Sequence, residues 1–133
     1  MELGQVETAQ IEFPFERFRD IIKVSLTEAI GYWATLNPIE VPHEVSHRYR
    51  GFDFPDVLAR AIWYDSYVAK VYSKNTPSLV LGEISMPSVR TALVTMSKEY
   101  NEYFQYLMQQ PQVEGVDCDV FFQLATMGAL RFG

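Results

Sequence analysis

The chain has 133 residues, a formal net charge of -6, 48% hydrophobic residues and 21% charged ones, a composition that excludes a disordered protein and supplies enough apolar surface for one core. Its 11 Lys and Arg are scattered, which argues against a phosphate-binding surface and so against a nucleic-acid partner. No apolar run reaches the roughly 18 residues of a membrane span, and the single Cys118 has no internal partner, so the expected setting is the cytoplasm or a particle assembled inside the cell.

Residues 1–13 are acidic and weakly patterned, with Glu2, Glu7 and Glu12, and read as a flexible arm ahead of a single helical domain over 14–133. Phe15, Phe18, Ile22, Ala29, Trp33 and Leu36 recur at helical spacing behind Pro14 and predict a first helix over 15–36. Asn37-Pro38 ends it, because a residue before proline is pushed out of the α region. Pro38, Pro42 and Gly51 punctuate a connection with room for a short helix over 42–50.

A second helix is expected over 55–73, started by Asp53 or Phe54 and Pro55 with Asp56 in the first turn. Its stripe of Leu58, Ile62, Val68, Ala69 and Tyr72 includes Asp65, an acid where an apolar residue is expected. Residues 78–82 fit either an edge strand or an extended connector. Ser85 caps a third helix that runs to about Gln109, with Val89, Leu93, Met96, Tyr100, Phe104 and Leu107 on one face. Asp117 opens a last helix carrying Val120, Phe121, Leu124, Ala125 and Leu130. The expected fold class is therefore all-α: four main helices in an irregular bundle, the short helix near 42–50 and at most one short strand.

The sharpest chemical signal is Glu40-Val41-Pro42-His43-Glu44-Val45-Ser46-His47, which holds both histidines of the chain. Positions i, i+3, i+4 and i+7 share a helix face, so Glu40, His43, Glu44 and His47 can converge on one ion. Over five residues the segment resembles the H-E-x-x-H motif of zinc peptidases. That resemblance implies His43 and His47 as zinc ligands, Glu44 as the base and Asp65 as third ligand, with Glu83 behind it. The tandem Glu-x-x-His spacing is also similar to the ligand pairs of di-iron helical bundles, which would recruit Glu28 or Glu102. Against the peptidase reading stand Pro42, which puts His43 in a first turn, and the short helical run beyond His47.

Cys118 sits between Asp117 and Asp119, which raise a thiol pKa and disfavour a nucleophile. The reading these residues support best is a non-catalytic interaction or assembly protein, an oligomer subunit or an adaptor of the kind found among phage connector and accessory proteins, with no cofactor. Its partner is expected to be protein, a second copy included, bound through Phe121, Phe122, Leu124, Leu130 and Phe132 of the uncharged last segment. A small metal-dependent hydrolase, or a zinc- or iron-binding bundle without peptidase activity, is the alternative.

Overall fold

The computed structural model describes residues 11–133. In chain order the elements are α1 (Phe15–Val24), a π-helical turn (Ser25–Ala29), β1 (Ala34–Thr35), a 3-10 turn (Pro38–Glu40), α2 (His43–Arg48), α3 (Phe54–Asp65), β2 (Ala69–Ser73), β3 (Val80–Ile84), α4 (Met86–Glu99), α5 (Asn101–Gln109) and α6 (Gly115–Met127). The three strands form one antiparallel sheet in the order β1-β2-β3. The all-α, four-helix expectation is thus overturned: the fold mixes six α-helices with a three-stranded sheet among the described residues.

The first three expected helices all stop short, the second and third at a residue whose backbone leaves the helical region. The second stops at Asp65, where Ser66 adopts a left-handed conformation (φ 55°) and the Tyr67 N–H turns back to the Ala61 carbonyl. Beyond it Ala69 and Val71 are buried while Lys70 is exposed, the period-two pattern of a half-covered strand. Val68, Ala69 and Tyr72 satisfy a helical stripe as well, which is how β2 hides in the sequence. The third helix divides at Tyr100 (φ -135°, ψ 47°), where the Asn101 side-chain amide donates to the Ser97 carbonyl and closes the end of α4. The first passes from α1 into the π turn, where the Ser25 hydroxyl donates to the Ile21 carbonyl, and then yields to β1.

Helix starts follow ordinary capping chemistry. Asp53 accepts from the Asp56 N–H, and Ser85 with Ser88 makes a reciprocal capping box ahead of α4.

The core lies where α1, α3, α4 and α6 meet the inner face of the sheet. Phe18, Ile22, Leu58, Ile62, Val71, Ile84, Leu93, Met96, Leu107, Phe121 and Phe122 fill it. Tyr100 and Phe104, expected with them, are half-buried at its edge. A smaller cluster of Val41, Val45, Val57 and Ala61 seats α2 on α3. Ile11 and Phe13, from the expected arm, pack against the main core, with the Phe13 ring 5.4 Å from Trp63; the rest of that arm lies outside the described residues. β3 approaches the end of α6 so closely that a Cβ built on Gly82 would overlap the Thr126 carbonyl oxygen. Only glycine fits there.

Candidate interaction site

Helix α6 carries no charged side chain after Asp119, so Asp119 and Gln123, one turn apart, stand out on an otherwise apolar surface. Both are used. Asp119 Oδ2 accepts from the Tyr32 hydroxyl at 2.5 Å and Oδ1 from the Trp33 indole N–H at 2.8 Å. Gln123 is 2% exposed and donates from Nε2 to Asp119 at 3.1 Å. The loop after the π turn is thereby tied to the middle of α6.

The remaining capacity of Gln123 is spent on the chain's last residues. Its Oε1 accepts from the main-chain N–H groups of Arg131 (2.8 Å) and Phe132 (3.0 Å), while Nε2 donates to the Phe132 carbonyl at 3.2 Å. A primary amide has one acceptor and two donor hydrogens in the geometry of a peptide group, so Gln123 pairs with this backbone as a neighbouring strand would. Gly128, left-handed at φ 75°, ends α6 and turns the chain back toward Gln123. The Phe132 ring then lies flat on Trp33, with centroids 5.1 Å apart and planes 12° apart, and Trp33 packs edgewise on Phe122 beneath.

This geometry divides the five residues expected to face a partner. Phe121, Phe122 and Leu124 are buried in the chain's own core. Leu130 and Phe132 are each 39% exposed and remain at the surface. The hydroxyl of Tyr32, desolvated beside α6 and bonded to Asp119, has its pKa pushed up to about 12.

The histidine segment is arranged differently from a shared metal face. His43 and His47 lie on α2, exposed, with ring centroids 6.2 Å apart and planes inclined by 26°. Glu44 is exposed beside them, and Glu40 sits on the preceding 3-10 turn, where it accepts from the Tyr72 hydroxyl. Asp65 is the last residue of α3; its carboxylate pairs with Arg48 and accepts from the Tyr49 hydroxyl at 2.7 Å. That pairing accounts for an acid in an apolar stripe. Glu83 lies exposed on β3 opposite Lys70. Among the described residues no three His, Cys, Asp or Glu side chains are grouped so as to hold a metal ion, and no helix is long and apolar enough to cross a membrane.

Cys118 is fully buried, and its thiol pKa is pushed up to about 12, chiefly by burial, with Asp117 and Glu28 adding to it. Of the two acidic neighbours named by the sequence, Asp117 acts in the expected direction, yet desolvation is the larger cause. Asp117 itself is 4% exposed and stands in the first turn of α6. It does not cap the helix, since Glu114 occupies that position and makes no side-chain cap.

Comparison with known proteins finds no match: no protein-family model, curated protein or solved structure is similar to the chain.

Proposed function

We propose that the protein is a non-catalytic assembly subunit that associates with a second copy of itself, through Leu130 and Phe132 of the 128–133 segment. The observation that carries this reading is the ordered presentation of two apolar side chains. Leu130 and Phe132 are each 39% exposed, on a backbone held in one place by Gln123 and Trp33. An apolar side chain already fixed in position loses little entropy on binding, and a partly buried aromatic ring is the commonest anchor of an interface.

The clamp also supplies a mode of association. Gln123 grips main-chain groups and Trp33 a flat ring, so the seat accepts the same segment from a second copy as readily as from its own chain. Exchange of an identical element is a low-cost route to a dimer, because every contact is already part of the monomer.

Light scattering across a range of concentrations tests the reading. The intact protein is expected to form a dimer or larger oligomer, and Phe132→Ala to shift it toward monomer with helical content unchanged. A monomer at every concentration, or an oligomer indifferent to Phe132→Ala, overturns it.

A further inference from the structure

On the far side of α6 from Asp119 lies a cleft between α5 and the first turn of α6, about 400 Å³ in volume and lined by Glu102, Tyr103, Tyr106, Glu114, Val116 and Asp117, with Gln110 at its end. Residues two apart on a helix point roughly 200° apart, so Asp117 faces this cleft while Asp119 faces Trp33. The lining holds three carboxylates and two tyrosine rings and no Lys or Arg. The nearest cation on α1, Arg17, is committed to main-chain carbonyls at the end of α5, donating to Gln110 at 2.7 Å and to Leu107 at 3.4 Å.

The acidic character alone would say little, since Glu102 and Glu114 are exposed and solvated. Asp117 is different. As a residue it is 96% shielded and lines the cleft, its carboxylate oxygens keep a small exposure, and no hydrogen bond or ion pair reaches them from the described residues. A buried carboxylate without a partner is costly, and such a group calls for an explanation. Burial, with Glu114 nearby, raises its pKa, the sign of an anion whose charge is uncompensated within the fold. Tyr103 and Tyr106, 38% and 46% exposed, stand beside it with the electron-rich faces that attract a cation.

We propose that this cleft is a recognition site for a basic side chain, the guanidinium or ammonium group of an Arg or Lys on a partner protein, which enters between Tyr103 and Tyr106 and pairs with Asp117. The charge of the chain agrees with that choice: a protein of net charge -6 draws a basic partner toward its surface. Glu102 and Glu114 at the rim steer the cation, and Asp117 at the base holds it. The volume suits one long side chain, at the lower end of the range for small-ligand clefts, which is roughly 300–1,000 Å³. The site lies apart from the 128–133 segment and does not depend on the self-association proposed for it.

Titration with three acetylated, amidated tripeptides, Ala-Arg-Ala, Ala-Lys-Ala and Ala-Gln-Ala, followed by NMR shifts of the Tyr103 and Tyr106 resonances, tests the proposal. The Arg and Lys peptides are expected to bind with millimolar affinity or better, about tenfold more tightly than the Gln peptide, and Asp117→Asn to remove that difference. Tyr106→Ala should weaken both basic peptides without unfolding the protein, a second variant that serves if Asp117→Asn is poorly folded. Phe132→Ala should leave peptide binding untouched, so the failure of one reading is separable from the failure of the other. Equal response to all three peptides, shifts located elsewhere, or full affinity in Asp117→Asn overturns the proposal.

Discussion

Phe132 lies face to face on Trp33, centroids 5.1 Å apart, and the same indole donates its N–H to Asp119. One side chain thus joins the Phe132 ring to a carboxylate on α6. Trp33 is 2% exposed, so what rests on it is part of the fold's own surface rather than a loose end.

Gln123→Leu is expected to release the 128–133 segment while the core persists. The substitution keeps the volume but removes the acceptor for the Arg131 and Phe132 N–H groups and the donor to the Phe132 carbonyl. A net hydrogen bond contributes about 1 kcal/mol, so amide exchange at these two residues should quicken by about tenfold or more. Unchanged exchange there would show that Trp33 alone holds the segment.

Tyr32 is expected to resist ionisation. Its pKa, pushed up from 10.0 to about 12 by desolvation and the Asp119 bond, makes the folded form the tighter proton binder. The associated stability is complete below pH 10 and is lost as pH rises toward about 12, because there the unfolded chain ionises first. Burial or an acidic partner also raises the pKa of Tyr49, Tyr67 and Tyr72, so ultraviolet titration should find several late-titrating tyrosines, of which Tyr32→Phe removes one. An unchanged late phase in that variant would mean that Tyr32 is not among them.

Asp117 has the same sign of shift at the acid end. With its pKa raised above 3.8, its contribution favours the fold at low pH and is lost as pH rises through the folded value. Asp117→Asn should raise the melting temperature at neutral pH, and the gain should vanish in acid, where the wild-type carboxyl is protonated in both states. A destabilised variant at neutral pH would mean that the carboxylate has a partner in solution.

Gly82→Ala is expected to destabilise the protein by about 1–3 kcal/mol, the usual cost of forcing extra volume into a packed site. The added carbon meets the backbone oxygen of Thr126, which cannot rotate away as a side chain would. Urea unfolding measures it; a loss below about 0.5 kcal/mol, typical of surface changes, would mean that β3 and α6 separate easily.

The beginnings of α3 and α4 were legible in the sequence, and the breaks inside its expected helices were not. Asp53, Pro55, Ser85 and Pro87 announce α3 and α4 through side chains with known capping roles. The breaks at Ser66 and Tyr100 carry neither proline nor glycine, because tertiary packing rather than local preference sets them. Asp65 is out of place in an apolar stripe of the sequence; the structure makes it the end of a helix, paired with Arg48 and Tyr49. Leu130 and Phe132 stand out in the sequence by their apolar character, whereas the buried Gln123, which bonds the main chain of Arg131 and Phe132, does not. Its one available signal was the spacing of Asp119 and Gln123, two polar side chains one turn apart on a largely buried helix.

The interruption at Tyr100 makes α5 a short lever, joined to α4 by the two dihedral angles of one residue and lashed at its far end by the Arg17 guanidinium on α1. The wall of the tyrosine cleft is therefore suspended between a joint at Tyr100 and a tether whose two ends, Arg17 and Leu107, lie 90 positions apart in the chain. A substitution on α1, remote in sequence from every tyrosine involved, thus acts as the adjusting screw for the gap between α5 and α6.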